Sequence, residues 1–503
     1  MNALFLIPPA TFNTRPLPVD RVYGCNYGFD LKPPIHFLAV ATYARDVLGW
    51  TVRLMDCPAE GIGEAAFLAE IEAGGWDIVL LWSTYLSSQG DVAAARRVHT
   101  LRPATRFVFM GTGPTWKPEE FKVGQSWCLL GEPEHTLRDL DAGWKRGELR
   151  DDTPGLGSFR PDGRFVRGPF RDLLDVSALP MPDRGLLLGA YNANRFEVAR
   201  VTVMAVSRGC GFRCTFCTTN AIDQAVDLEF KKLQGEYTKR APLRKRTVEQ
   251  IIAEFHDIAA RGIQGVEIAD NIFTWGRQRT IDICDGIAHL GLQWICLARA
   301  NMLHDPDVIQ AMVRAGCKLV YMGSESFDDG LLDDMVKEIK VRDIEKAVRV
   351  CRENGLEPEV SVLIGASPKE SWKTLINSWK ASRRLGTRFV HFSVALPSPS
   401  TQMYDDAMAN GWFVDGDFRP ADNQREVIIN LPNLSRTELR LALKAAYAVQ
   451  YLSPRGIWNH ARRVHSLSDV AHKARSASRL LRFLGEREGA ETTEIPAGRV
   501  TLA

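Results

Sequence analysis

No apolar run in this chain approaches the roughly 20 residues that cross a bilayer, so the sequence offers no membrane-spanning helix. A surplus of one charge is missing too. Its 63 Lys and Arg against 61 Asp and Glu leave a formal charge of +2, which argues against wholesale nucleic-acid binding. The opening run Met1-Asn2-Ala3-Leu4-Phe5-Leu6-Ile7-Pro8-Pro9 has neither the charged lead nor the cleavage pattern of a secretion signal, and reads as a buried first strand. The ten cysteines follow no disulfide framework. Seven of them, Cys25, Cys57, Cys128, Cys284, Cys296, Cys317 and Cys351, read as buried thiols, because free cysteine packs as a small hydrophobe. What is present is ordinary globular composition, 45% hydrophobic and 25% charged over 503 residues, enough for two or three domains with separate cores.

The other three cysteines stand together in Ser207-Arg208-Gly209-Cys210-Gly211-Phe212-Arg213-Cys214-Thr215-Phe216-Cys217. The C-x3-C-x2-C spacing lets Cys210 lie in a turn made by Gly209 and Gly211, with Cys214 and Cys217 three apart on one helical face. Three thiolates can hold three irons of a cubane and leave the fourth iron open to an outside ligand. A zinc site and a chance cluster of buried thiols are the alternatives. Zinc usually takes paired C-x2-C knuckles and a fourth ligand, which the flanking sequence lacks.

This motif, with an aromatic residue just before the last cysteine, resembles the radical S-adenosylmethionine (SAM) superfamily. The resemblance implies a [4Fe-4S] cluster whose open iron binds the amino and carboxylate groups of SAM, and whose electron cleaves SAM to methionine and a 5'-deoxyadenosyl radical. An oxygen-sensitive cluster calls for a reducing compartment, so a cytoplasmic location is expected.

Ahead of the motif, short apolar runs at Ala3 to Ile7, Thr51 to Met55, Asp77 to Trp82, Arg106 to Met110 and Ser126 to Leu130 alternate with helical patterns such as Ile35 to Leu48 and Asp91 to Leu101. That alternation predicts a doubly wound parallel sheet over residues 1–150, with ligands beyond the carboxyl ends of its strands. Those ends carry Pro8-Pro9, Asp56, Ser83-Thr84, Gly111-Thr112-Gly113-Pro114 and Gly131-Glu132. The loops are similar to the cobalamin-binding domain found N-terminal to one large radical SAM class. The resemblance places the corrin and its nucleotide tail against Ser83, Thr84, Ser87, Gly111, Gly113 and Gly131. A sheet of this kind that binds no ligand is the plain alternative. No D-x-H-x-x-G occurs, so no histidine is expected below the cobalt, and His36, His99 and His135 read as ordinary histidines.

Residues 151–190, rich in Gly, Pro, Asp and Arg, read as a linker that packs along the domain junction. Beyond it, strand-like runs at Val201 to Val206, Gly265 to Ala269, Trp294 to Leu297, Leu319 to Met322, Val360 to Ile364 and Val390 to Val394 are separated by amphipathic helices such as Thr247 to Ala260 and Asp305 to Ala315. Six strands with six helices predict a partial (βα)6 barrel over residues 191–400, with its site at the carboxyl ends of the strands. The resemblance supplies roles for those ends. Asp270 and Asn271 would meet the amino group of SAM, Arg299 its carboxylate, Glu325 and Ser326 its ribose or amino group, and Gly365 its adenine. Each has a structural alternative, as a helix cap or a bridge between loops.

Residues 401–503 read as a helical region, opened at Leu434-Ser435-Arg436-Thr437-Glu438 by a capping box for a helix through Ala442 to Tyr451. Arg455, Arg462, Arg463, Lys473, Arg475, Arg479 and Arg482 then alternate with apolar residues. A solvated lid over the barrel is favoured there over a membrane-surface or acidic-partner contact.

Together these parts imply a cobalamin-dependent radical SAM enzyme that takes its electron from a flavodoxin or ferredoxin. The expected outcome is methylation of an unactivated carbon, with methylcobalamin as the methyl donor. The alternatives are oxidation, rearrangement or ring closure with the same cofactors, and a non-enzymatic iron–sulfur or corrinoid carrier. The substrate is expected to be a small molecule or peptide; Trp275, Trp372, Tyr404 and Trp412 are candidate pocket aromatics, although such residues are more often core.

Overall fold

The computed structural model describes residues 1–28, 30–192, 198–234, 241–454, 457–458, 477–478 and 480–485. Of the basic C-terminal series, only Arg482 lies within the described residues. No helix among the described residues is long and apolar enough to cross a membrane.

The first sheet contains β1 (Asn2–Ile7), β2 (Thr51–Asp56), β3 (Ile78–Trp82), β4 (Arg106–Met110) and β5 (Gln125–Leu129), parallel and in the order β2-β1-β3-β4-β5. Helices cover both faces of central β1, so Ala3, Leu4, Phe5 and Leu6 are all buried. This is why its sequence is a continuous apolar run instead of an alternating one. The stretch read as a linker also contributes structure. It carries β6 (Leu156–Phe159) and β7 (Phe165–Arg167), which extend the sheet antiparallel from β5.

The second sheet is the partial barrel. β8 (Val201–Met204), β11 (Gly265–Ile268), β12 (Gln293–Ala298), β13 (Cys317–Glu325), β14 (Glu357–Ile364) and β15 (Phe389–Val394) run parallel in chain order. Between the first two of these, β9 (Ser207–Arg208) and β10 (Arg244–Lys245) form a separate antiparallel pair. Local chemistry sets the helices. Thr247 and Gln250 cap the helix Val248–Ala260 reciprocally, and Ile251, Phe255 and Ile258 supply its buried face. Asp305 caps the helix Pro306–Arg314, whose first residue is a proline that needs no N–H there. At Ser435 and Glu438 the capping box opens Arg436–Tyr447, which continues into the π-helical turn Ala448–Leu452. This segment covers the open edge of the barrel. Tyr447 Oη donates to the Phe392 carbonyl and accepts from its N–H, and Tyr451 Oη does the same at Val390.

Buried charge joins the two sheets. Arg208, two residues before Cys210, pairs with Glu132 at 3.0 Å and Glu134 at 2.5 Å, and Arg244 pairs with Glu132 at 2.7 Å. Burial alone would raise Glu132, but the two guanidiniums hold its carboxyl below the usual range.

Candidate functional site

The cysteine loop leaves the carboxyl end of β8 and is clamped by β9 and β10. Gly209 has φ 87°, and a side chain there would run into the Pro242 carbonyl, so only glycine fits. Cys210 N–H donates to the Ala241 carbonyl and Cys217 N–H to the Cys214 carbonyl, each at 3.3 Å. The second bond is the tight turn that the spacing predicts. Cys214 is buried, Cys210 and Cys217 are half-buried, and none of the three is in a disulfide. Among the described residues no three His, Cys, Asp or Glu side chains converge on a single ion. A cubane does not require that, because each thiolate binds a different iron. The donor set, three soft thiols in one loop, fits such a cluster.

Asp270 and Asn271 stand directly beside this loop. Asp270 accepts from Val206 N–H at 2.7 Å and from the Ser207 hydroxyl. Asn271 donates to Asp223 at 2.6 Å, and Asp223 accepts from Gly209 N–H at 2.8 Å. Burial pushes Asp270 up to about 6 and Asp223 up to about 7. These contacts hold the loop's shape. Arg299 also reaches it. Its guanidinium lies 3.5 Å from the centre of the Phe212 ring, donates to Cys214 Sγ at 3.7 Å, and donates to the Lys337 carbonyl.

Glu325 forms a 2.7 Å ion pair with Lys337, and the Ser326 hydroxyl accepts from Asp328 N–H at 3.2 Å. Gly365, with φ 79°, donates its N–H to Glu370 and turns its open side toward Leu431 and Leu439. Of the aromatics, Trp275 stacks on Phe212 within the cysteine loop, with centroids 5.3 Å apart. Trp372 packs on Trp379, Tyr404 on Phe413 and Phe418, and Trp412 against the main core. Sequence reasoning missed Lys337, Arg208, Asp223 and the pair Glu132 and Glu134. Only the closely spaced acids of Gly131-Glu132-Pro133-Glu134 carried a signal, and their loop was read for its glycine.

Below the loop, the barrel is closed at its floor by Val201, Ile295 and Leu319, all buried. Above that floor the burial alternates. Along β14 and β15 the outward residues Val360, Val362, Ile364, Val390, Phe392 and Val394 are buried under helices, while the alternate residues Ser361, Leu363, His391 and Ser393 are half-buried. Lys32, from the N-terminal segment, pairs with Glu267 of β11 at 2.7 Å.

At the first sheet the edge is more closed. Ser83, Thr84 and Ser87 are all fully buried. Arg21 donates to Ser87 Oγ at 2.6 Å and forms a bidentate pair with Asp91 at 2.7 and 2.9 Å. Gly111 and Gly113 are buried, and a side chain on either would strike the sheet's own Ser83 or Ser88. Gly131, with φ 72°, faces Glu229. Two features fit a polar ligand: the hydroxyls of Ser83 and Thr112 are buried with no hydrogen-bond partner among the described residues. Beyond β1 and β2 lies a small cleft lined by Pro8, Arg21, Lys32 and Asp56. The helix Ala221–Gln234, buried from Ala221 to Glu229, fills the rest of the junction.

The model of the radical SAM superfamily matches residues 204–380. An uncharacterized methyltransferase of Pyrococcus horikoshii, PH0819, is 27% identical over 466 residues, covering 90% of this chain and 93% of that one. The radical SAM methyltransferase TsrM of Kitasatospora setae, solved with tryptophan and a SAM analogue, superposes with a TM-score of 0.64 at 19% identity, over 82% of this chain and 76% of TsrM. The cobalamin-dependent radical SAM enzyme OxsB, solved with aqua-cobalamin and SAM, gives 0.70 at 15% identity, over 96% of this chain and 71% of OxsB. The chain thus carries a radical SAM domain over residues 204–380 and has, along most of its length, the fold of the cobalamin-dependent radical SAM enzymes.

Proposed function

We propose that this chain uses a [4Fe-4S] cluster, SAM and cobalamin to methylate an unactivated carbon of a small molecule or peptide. The observation that carries this reading is the C-x3-C-x2-C loop at the carboxyl end of β8, within the residues that the radical SAM model matches. In this reading residues 1–150 hold the corrinoid and residues 191–400 hold cluster, SAM and substrate. When bound, these groups supply a carbon-centred radical and a transferable methyl group, the hard chemistry that side chains lack.

The chain's own part is placement. Cys210, Cys214 and Cys217 would hold the cluster, Asp270, Asn271 and Asp223 fix the loop that carries them, and Ser83 and Thr112 offer hydroxyls to the corrinoid tail. Arg208 with Glu132 and Glu134 fixes the distance between the two sites, so a group delivered from one sheet meets a substrate held in the other. Oxygen sensitivity places this chemistry in the cytoplasm, with a reduced flavodoxin or ferredoxin as donor.

The test is anaerobic reconstitution with iron, sulfide and hydroxocobalamin, followed by methyl-labelled SAM and a strong chemical reductant. Methyl transfer puts the label on the recovered corrinoid and, with substrate present, in the product. Formation of 5'-deoxyadenosine while the label stays in methionine contradicts methyl transfer and supports oxidation or ring closure.

A further inference from the structure

Among the described residues three that are not glycine have left-handed backbone: Glu325 (φ 64°), Val336 (φ 51°) and Glu338 (φ 54°). Such backbone is disfavoured for residues with side chains, above all for a β-branched one like Val336. It persists where the surroundings over-determine it, commonly at functional sites. All three flank one ion pair. Val336 and Glu338 sit on either side of Lys337, and Glu325 is its partner at 2.7 Å. The register of β13 against β14 slips between Gly323 and Glu325, a bulge that re-aims the Glu325 side chain. Gly323 leaves the room for this, since a side chain there would stand 2.5 Å from Glu325 Oε1 and 3.1 Å from Lys337 Nζ.

The pair is fastened to Cys214 from three sides. Thr215 N–H donates to the Met335 carbonyl at 3.1 Å. Arg299 bridges the Cys214 sulfur and the Lys337 carbonyl. Lys337 Nζ lies 5.7 Å from the centre of the Phe216 ring, between Cys214 and Cys217 in sequence. The lysine and glutamate side chains are 8% and 12% exposed, so bulk solvent screens their charges weakly. Burial favours the neutral amine of Lys337, but Glu325 and the Cys214 sulfur together hold its pKa above the ordinary lysine value.

Charge beside a cluster and hydrogen bonds to its sulfurs set its reduction potential. We propose that Lys337 is a fixed positive charge which, beside that of Arg299, makes the cluster at Cys214 easier to reduce, with Glu325 setting how much of the lysine's charge the cluster feels. Added negative charge on the reduced cluster is stabilised by Lys337 and opposed by Glu325, so removing one or the other shifts the potential in opposite senses. The inference rests on the cluster reading of Cys210, Cys214 and Cys217.

The test is a redox titration of the full-length, anaerobically reconstituted chain, followed by electron paramagnetic resonance of the reduced cluster. Lys337→Met lowers the reduced-to-oxidised ratio at fixed potential about tenfold, a shift of ~59 mV to more negative values for a one-electron couple. Glu325→Gln moves the ratio the other way, and Lys337→Arg restores the wild-type value. Shifts of the same sign in Lys337→Met and Glu325→Gln, or none in either with the cluster intact, overturn the proposal. A wild-type chain with no four-iron signal is a different result, and sinks the cluster reading itself.

Discussion

Both parallel sheets turn their carboxyl ends toward one junction, but the two edges are built differently. Along the first sheet the chain fills its own edge: Arg21 lies on Ser87 and Asp91, the glycines of the β4 loop pack against Ser83 and Ser88, and Ala221 to Glu229 cover what remains. At the barrel the corresponding edge carries three thiols outside any disulfide and left-handed backbone at Glu325, Val336 and Glu338. The rule that ligands bind beyond strand ends holds equally for both. Nor are they separated by whether the polar groups there are already satisfied by the chain. On that measure each edge keeps a few groups in reserve, the Ser83 and Thr112 hydroxyls at the first sheet and the Thr274 and Ser324 hydroxyls at the barrel, all without a hydrogen-bond partner among the described residues.

The sharpest contrast comes from Cys214→Ala, which should abolish cluster assembly as read by iron and sulfide content; an intact four-iron spectrum in that variant breaks the ligand assignment. Buried ion pairs lock both edges, so Arg21→Met and Arg208→Met should each cost about 3–5 kcal/mol in denaturant titrations, the usual loss when one partner of a buried pair is removed. Only Arg208→Met should also lower cluster loading, because only Arg208 is tied to the cysteine loop. Equal loading in the two variants would erase the distinction.

The edges also differ in pH response. Burial raises Asp56, at the first edge, from 3.8 to about 6, and Glu370, at the barrel edge, from 4.5 to about 8. A carboxyl raised by folding stabilises most below its unfolded pKa and loses that contribution as pH climbs through its folded value. Melting temperature should therefore fall between pH 4.5 and 8 on account of Glu370, and Glu370→Gln should flatten that slope. Asp56→Asn should flatten the slope only between about pH 3.8 and 6 and leave the variant more stable than wild type above that. The smallest effect belongs to Thr247→Ala, which removes an exposed helix cap and should cost about 1 kcal/mol in denaturant titration with cluster content unchanged.

Much of this was legible from the residues in order. The strands of both sheets declared themselves as apolar runs, and Cys210, Cys214 and Cys217 by spacing, because both signals are local. Thr247 and Ser435 announced their helices for the same reason. Lys337 gave no such signal: nothing in Met335-Val336-Lys337-Glu338 marks left-handed backbone, which glycine or asparagine would have advertised. Arg21 and Asp91 lie 70 residues apart, and their pairing exists only once the first sheet has formed. The hairpin of β6 and β7 was hidden in a stretch whose glycines and prolines read as connection. Asp270 and Asn271 were found by position, but their bonds to Ser207 and Asp223 come from tertiary packing that spacing cannot show.

The most direct measurement is 5'-deoxyadenosine formed from SAM by the anaerobically reconstituted chain under a strong reductant. The account predicts that the wild-type chain forms it and that Cys214→Ala forms none. A purified chain that carries zinc on its three cysteines, or a four-iron cluster that leaves SAM intact after reduction, would contradict it.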